Sequence, residues 1–134
     1  MFERIIIIGN LGKDPIVRLN KAGRPVVTLN VATNRKYVDD NTNTTHKETT
    51  WFIVTVGGSQ AEFVSQYCKK GSQVLIDGKL RPDRETGGPR IWTRNDGAPA
   101  ANFEIIADVV RLLGKKGDNE NAETDDDFLA NIVF

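Results

Sequence analysis

The sequence predicts an all-β domain with one short helix, followed by a disordered acidic C-terminal tail. Three observations lead to this fold class. Five short segments rich in β-branched residues are bounded by Gly, Pro, Asn and Asp. One segment between the third and fourth of them has a helical period instead of alternation. The residues after position 113 are too polar to bury a core of their own.

The first three strands lie in the N-terminal half. The isoleucine run IIII predicts a strand over residues 4–11, which ends at the turn sequence GKDP. VVTLNVAT, residues 26–33, alternates apolar and polar side chains and predicts a half-buried second strand. The polar residues 39–47 predict a loop, and TTWFIVTVGG, residues 49–58, predicts the third strand.

A short helix is predicted after the third strand. Ser59 and Glu62 have the spacing of a capping box, which indicates where the helix begins. Gly71 follows two lysines that suit the negative end of a helix dipole, and we expect it just past the helix end. The predicted apolar stripe consists of Phe63, Val64 and Tyr67.

The last two strands are predicted over QVLIDGKL, residues 73–80, and FEIIADVVRLL, residues 103–113. Between them lie a Gly-Gly-Pro turn, the segment RIWT and the polar residues 95–102. Five strands with a helix between the third and fourth are the layout of an OB-fold barrel. We therefore expect a five-stranded OB-fold barrel in residues 1–113, and a flexible acidic tail with an apolar C-terminal peptide in residues 114–134.

Charge is distributed unevenly along the chain. All 18 Lys and Arg residues lie within residues 1–116, beside 12 of the 18 acids, so this part has a net charge of +6. Residues 117–134 carry the other six acids and no base, which gives −6. The overall zero therefore conceals a basic body and an acidic tail.

The residues do not favour an enzyme, a metal site or a cofactor site. Cys68 is the only cysteine and His46 the only histidine, so no intrachain disulfide and no multi-ligand Cys/His metal site can form. The sequence GNLGKD lacks the spacing of a Walker phosphate loop. The N-terminal apolar run is too short for a signal peptide or a membrane span, so we expect a cytoplasmic protein.

Aromatic residues recur beside basic ones, which is the combination that nonspecific single-strand binding requires. Bases stack on aromatic faces for about 1–3 kcal/mol each, while cations neutralise the phosphates. Tyr37 and Trp92 lie in polar contexts and are predicted stacking residues. Trp51 opens a strand, so stacking and core packing remain equally open for it. Phe52 and Phe103 are expected in the core or in a subunit contact.

The stretches IIIIGNLGKDPIVR and YCKKGSQVLIDGKLR, the strand that contains Trp51 and the acidic ending on Phe134 resemble bacterial-type single-stranded DNA-binding proteins, over about residues 3–113 in order. The resemblance implies an OB fold, a homotetramer in preference to a dimer, and sequence-independent wrapping of single-stranded DNA without catalysis. It also implies a nucleoid-associated role in replication, recombination and repair.

The same resemblance assigns roles to individual residues. Tyr37 and Trp51 match aromatic positions of the family, but the aromatic that many relatives have at the end of strand three and the Trp of the strand-four arm are missing here. We hypothesise that Trp92 replaces the missing ring, so the stacking set is Tyr37, Trp51 and Trp92. The predicted phosphate contacts are Arg4, Arg35, Lys36, Lys70, Arg81, Arg84 and Arg90.

The family tail implies recruitment of replication and repair proteins. In relatives an acid cluster is followed at once by a small apolar group, Pro and a terminal Phe, whereas here six residues, LANIVF, follow the cluster and its Phe, and none is Pro. The predicted partner-binding residues are Asp125, Asp126, Asp127, Phe128, Val133 and Phe134.

Two other readings remain open at this point. An OB barrel can also bind RNA or a protein partner, and a small nuclease can be built on the same fold. Competition by single-stranded RNA or duplex DNA separates the first from single-stranded DNA binding, and cleavage of labelled DNA with magnesium or calcium reveals the second.

The charge asymmetry generates a prediction for the tail. Deleting residues 118–134 should raise the affinity for oligo-dT at low salt, because the acidic tail competes for the basic body, and should change it little at high salt, where the attraction is screened. Titration of both proteins at two salt concentrations measures this. A loss of affinity at both salt concentrations would contradict the prediction.

Overall fold

The computed structural model describes residues 1–114, which form eight strands and one helix. The all-β class with one helix is therefore confirmed, and the predicted tail lies outside the described residues except for Gly114. Within these residues no helix is long and apolar enough to cross a membrane. The elements are β1 (Ile5–Leu11), β2 (Ile16–Leu19), β3 (Pro25–Asp39), β4 (Thr44–Val56), α1 (Ser59–Tyr67), β5 (Gln73–Leu80), β6 (Ile91–Thr93), β7 (Pro99–Ala101) and β8 (Phe103–Leu113).

Five of the strands form a closed ring. β1 pairs antiparallel with β5, β5 antiparallel with β8, β8 parallel with β4, and β4 antiparallel with β3. The ring closes where β1 also pairs with β3, with Asn10 opposite Ala32 and Leu11 opposite Val31. β2 adds to the free edge of β3, and β6 and β7 form a separate hairpin. This connectivity confirms the predicted OB-fold barrel.

The closure of the ring depends on Gly9. A Cβ atom at this position would overlap the backbone carbonyl oxygen of Ala32 and would lie 2.8 Å from Cγ1 of Val31. Only a glycine allows the two backbones to come this close, since no side-chain movement can relieve an overlap with a carbonyl. The glycine that the sequence placed inside the first strand therefore marks the point of barrel closure.

The core fills the interior of this ring, mostly by alternation of inward and outward side chains along the strands. On β3, Val27, Leu29 and Val31 are buried while the residues between them are only partly covered, as the sequence predicted. The other fully buried large side chains come from β4, α1, β5 and β8: Val54, Val56, Val64, Val74, Ile76 and Ile105.

The helix boundaries differ from the prediction. Ser59 is already inside α1, and Gly58 occupies the N-cap position without any side-chain cap hydrogen bond, so the capping-box prediction is wrong. The N-cap residue of a helix has non-helical backbone angles, so Ser59, which is inside α1, cannot be the N-cap. The helix ends at Tyr67 with Cys68 in extended conformation, so Gly71 is not the residue that ends it. Gly71 instead belongs to the turn before β5 and donates a hydrogen bond to the Leu11 carbonyl.

The predicted apolar stripe is correct only for Val64. Phe63 and Tyr67 are exposed and contact each other, with ring centroids 5.2 Å apart. The buried residues of this segment are Ala61, Val64 and Cys68, whose spacing of three and four residues also follows the helical period. The helix packs against β3 and β8 with small side chains, and the larger rings stay outside. Burial raises the pKa of the Cys68 thiol, because an apolar surrounding disfavours the thiolate.

The segment predicted as the polar loop 39–47 is shorter than expected. β3 and β4 pair continuously from Val27 opposite Val56 to Asp39 opposite Thr44, which leaves only residues 40–43 for the turn. β2 and the β6–β7 hairpin were also not predicted as strands. All of these segments are polar or very short, and they pair because a partner strand is in register beside them, which a single-segment pattern does not reveal.

Gln60 joins the helix to an irregularity in β8. The register between β5 and β8 shifts so that Asp108 has no partner residue on β5. The Gln60 side chain donates to the Asp108 carbonyl (2.9 Å) and accepts from the Val110 N–H (2.7 Å). One amide therefore satisfies both backbone groups that the bulge removes from the ladder.

Replacing Gln60 with Ala should lower the free energy of unfolding by about 1–3 kcal/mol, because the Val110 N–H would lose its partner in a nearly buried position. Urea denaturation followed by circular dichroism measures the loss. Gln66→Ala is the matched control, since Gln66 is exposed on the same helix. Equal midpoints for the two variants would show that the contact does not stabilise the barrel.

Candidate nucleic-acid interface

β3 and β4 form a long two-stranded ribbon whose two faces carry different side chains. Residues that stand opposite each other in the register share a face, and successive pairs alternate between faces. One face, which we call the outer ribbon face, carries the pairs Ala32 with Trp51, Asn34 with Thr49, and Lys36 with Lys47. The other face continues the core side of both strands.

Trp51 is held on the outer ribbon face by a glycine. The six-membered part of its indole lies against Gly12, where an added Cβ would be 2.5 Å from Cζ3. The Gly12 N–H donates to the Asn30 carbonyl (2.9 Å), which fixes this segment beside β3. Trp51 remains 52% exposed. The indole is therefore supported by backbone on one part of its surface and accessible on the rest, so the structure does not place Trp51 in the core.

Lys36 and Lys47 stand directly opposite each other on the same face as Trp51. Like charges in this position destabilise a ribbon, because their ammonium groups repel at short range. Between this pair and Trp51, the Thr49 hydroxyl donates to Oδ1 of Asn34 (2.8 Å). Trp51 is four positions further along β4 than Lys47, a distance of about 13 Å. A polyanion that lay along this face would remove the repulsion between the two lysines.

The second ribbon face carries Tyr37 and Arg35. Tyr37 stacks on His46, with ring centroids 5.2 Å apart and an interplanar angle of 27°. Arg35 makes an ion pair with Glu48, which stands opposite it. Tyr37 and Trp51 therefore lie on opposite faces of the pleated ribbon, and the charge of Arg35 is already balanced.

A basic groove runs over the outside of the barrel where β4, β5 and β8 meet the β5–β6 loop. Its volume is about 630 Å³. Thr55 lines the groove and lies four positions after Trp51 on β4, so the two side chains are on the same face of that strand. The groove therefore continues the outer side of β4. The acids Glu3 and Asp83 also contribute to the lining. The cations of the groove are Lys79, Arg81, Arg84 and Arg90.

Arg90 is fixed by a two-pronged ion pair. Its Nη2 lies 3.1 Å from Oε1 of Glu104, and its Nε lies 3.3 Å from Oε2. The Glu104 side chain is only 9% exposed, so the guanidinium neutralises a carboxylate that is largely removed from water. The contact also holds the arm between β5 and β6 against the first residues of β8.

The other predicted site residues lie elsewhere. Nε of Arg4 is 2.6 Å from Oδ1 of Asp77, on the β1–β5 side of the barrel. The backbone N–H of Lys70 donates to the Asp14 carboxylate (2.8 Å), next to the segment that supports Trp51. Trp92 is 40% exposed on the β6–β7 hairpin, opposite Ala100, and does not line the groove. The predicted tail residues, Asp125, Asp126, Asp127, Phe128, Val133 and Phe134, lie outside the described residues.

Three residues of this region were not among the predicted site residues. Lys47 belongs to the site only because the register places it opposite Lys36, and Lys79 because it alternates outward from a buried strand. Phe103, expected in the core or in a subunit contact, is 60% exposed and contacts Phe52 with ring centroids 5.8 Å apart. It therefore does not lie in the core of the barrel, and the subunit contact stays a prediction. It opens β8 at the end of the barrel, where alternation no longer implies burial.

Comparison with known proteins agrees with the fold. The model of the Single-strand binding protein family matches residues 2–113. A single-stranded DNA-binding protein 1 of Xylella fastidiosa strain 9a5c is 40% identical over 117 residues, covering 87% of this chain and 81% of that protein. A single-stranded DNA-binding protein of strain Temecula1 is 34% identical over 116 residues, with 87% of this chain and 66% of that protein covered.

A solved structure described as a Plasmodium falciparum SSB complex with ssDNA superposes with a TM-score of 0.70 at 27% identity, and covers 85% of this chain and 97% of that chain. The family model spans the barrel from Phe2 to the end of β8. The chain therefore belongs to the single-strand binding protein family.

Proposed function

We propose that this protein binds and protects single-stranded DNA without regard to sequence, by stacking bases on aromatic side chains and neutralising phosphates. The observation that carries the proposal is the outer ribbon face, where the supported and accessible Trp51 lies in line with the Lys36 and Lys47 pair. The basic groove extends the same outer side of β4. The Xylella relatives are named single-stranded DNA-binding proteins, which supports the same ligand.

The arrangement suits a ligand that is read by its shape and charge alone. An indole stacks on any base, since every base has a π face, and lysines attract phosphates whatever the sequence. Tyr37 and Trp92 offer further rings, but neither is on the outer ribbon face. A single strand of DNA that contacted both Tyr37 and Trp51 would have to pass over the edge of the ribbon. This path is compatible with DNA that wraps around the protein.

The predicted phosphate contacts fall into two groups in this proposal. Lys36, Arg81 and Arg84 make no ion pair with another residue of the described chain, and Lys70 likewise makes none. These four cations are available to phosphates directly. The remaining three already hold carboxylates, so a phosphate has to share them or displace the acid: Arg4, Arg35 and Arg90.

The proposal extends to the biological role that the family resemblance implies. The barrel of residues 1–113 binds DNA during replication, recombination and repair, as a homotetramer associated with the nucleoid in the cytoplasm, and does no catalysis. Residues 114–134 form a separate tail that recruits replication and repair proteins through its acid cluster and the apolar peptide ending at Phe134.

Competition binding tests the proposed ligand. A fluorescent oligo-dT should be displaced by unlabelled oligo-dT but only weakly by duplex DNA of equal length, because stacked and paired bases cannot reach the indole. Displacement by single-stranded RNA at equal concentration would favour an RNA-binding module instead. Incubation of labelled DNA with the protein and magnesium should leave the DNA intact, and cleavage would support the nuclease alternative.

Trp51 also gives a prediction about the glycine beneath it. Replacing Trp51 with Ala should weaken binding to a short oligo-dT by about 5- to 150-fold, the loss of one stacked base. Gly12→Ala should weaken it in the same direction while keeping the Trp, because the new methyl group would displace the ring. The affinity of Gly12→Ala can be measured by quenching of its Trp fluorescence by oligo-dT. Anisotropy of a labelled oligonucleotide measures the affinity of both variants.

The control for these variants is Tyr67→Ala, which removes a ring that is 61% exposed on α1 and lies outside the ribbon and the groove. It should bind like the unmodified protein. If Trp51→Ala binds as tightly as Tyr67→Ala, the indole is not a stacking platform.

A further inference from the structure

An apolar pocket adjoins the basic groove at the start of the β5–β6 loop. Its walls include Leu80, Pro82, Pro89 and Phe103, and its volume is about 240 Å³. The segment Leu80, Arg81 and Pro82 lines the pocket and the groove alike, so the two share a wall. A cationic channel and an apolar recess therefore open side by side on one surface.

The pocket has the size and the lining for a single planar ring system. An apolar cavity of about 150 Å³ accommodates benzene, so 240 Å³ is enough for a nucleobase. Leu80 is 50% exposed and the Phe103 ring is 60% exposed, so the pocket is accessible from solvent. The Phe103 ring also contacts Phe52, with ring centroids 5.8 Å apart.

The pocket and the groove differ in charge, so they suit different parts of a nucleotide. Glu104 lines the pocket, and its carboxylate is neutralised by the guanidinium of Arg90, which lines the groove. The Arg81 N–H donates to the Glu104 carbonyl (2.9 Å), so the shared wall is fixed to β8. Four cations of the described chain line the groove, while most of the pocket surface is apolar, which matches the charged backbone and the flat base of one nucleotide.

We propose that this pocket receives one nucleobase of a bound single strand whose phosphates lie in the adjoining groove, with Phe103 as the ring on which that base stacks. The inference rests on the proposed binding of single-stranded DNA and adds to it a stacking site that is separate from Trp51, Tyr37 and Trp92. The charge complementarity of the groove to a phosphate backbone identifies the occupant of the pocket as nucleic acid.

The test compares Phe103→Leu with Phe63→Leu. Leucine retains an apolar contact with Phe52 but offers no flat surface, and Phe63 is a partly exposed phenylalanine on α1 that lines neither the pocket nor the groove. Affinity for a short oligo-dT should fall by about 5- to 150-fold in Phe103→Leu and stay unchanged in Phe63→Leu. The salt dependence of binding should be the same in both, since neither change alters charge.

A second experiment removes bases from the oligonucleotide instead of the Phe103 ring from the protein. An oligonucleotide with consecutive abasic positions retains the phosphates, so the ratio of its affinity to that of oligo-dT isolates the contribution of the bases. This ratio should move towards one in Phe103→Leu and stay unchanged in Phe63→Leu. Equal affinities and equal ratios in the two variants would overturn the proposal while leaving single-strand binding intact, provided that the unmodified protein binds oligo-dT.

Sedimentation of both variants without DNA tests whether a second copy of the chain, and not a nucleobase, fills the pocket. The proposal expects the same oligomeric state for Phe103→Leu, Phe63→Leu and the unmodified protein. A smaller assembly only in Phe103→Leu would overturn it in favour of a subunit contact. Failure of the unmodified protein to bind oligo-dT would instead contradict the proposed function itself.

Discussion

The close approach of β1 to β3 at Gly9 is the constraint on which the rest of the structure depends. Because no Cβ stands between Gly9 and the Ala32 carbonyl, the ends of the sheet can meet and the ring of five strands can close. Closure seals the core and also sets which side chains face outward. Gly12, three residues further along, then provides the surface that supports Trp51. Two glycines of one strand end thus join the folding of the barrel to the placement of its exposed indole.

The cations of the barrel are not equivalent. Arg4, Arg35 and Arg90 have acidic partners, and the Arg90 pair holds a loop in place. Lys36 and Lys47 stand opposite each other on one face, and the groove carries further cations beside Glu3 and Asp83. An excess of positive charge on one surface opposes folding through its own repulsion, and a bound polyanion relieves that repulsion. Surface charge that opposes folding is understandable when it serves binding.

The fold followed from the sequence where a residue's partners are near in the chain or where burial imposes a period. The buried strand QVLIDGKL and the final strand FEIIADVVRLL were predicted with their observed bounds, and the alternation of Val27, Leu29 and Val31 was correct. The misplaced features depend on long-range contacts. Phe103 alternates like a core residue but lies at the open end of the barrel. The Lys36–Lys47 pair exists only through the register of a ribbon that the polar segment 39–47 did not reveal.

The central claim is that the protein binds a single strand by stacking its bases and neutralising its phosphates on the outer side of the barrel, and the salt dependence of oligo-dT binding tests the phosphate contacts most directly. In a protein with both Arg81→Gln and Arg84→Gln, the slope of log affinity against log salt should become shallower by about 1.4, which is about 0.7 for each lost phosphate contact. The control carries Lys21→Gln and Arg24→Gln, which remove two exposed charges from the turn between β2 and β3 and should leave the slope unchanged. An unaltered slope in the groove variant, or an equal change in both variants, would contradict the account.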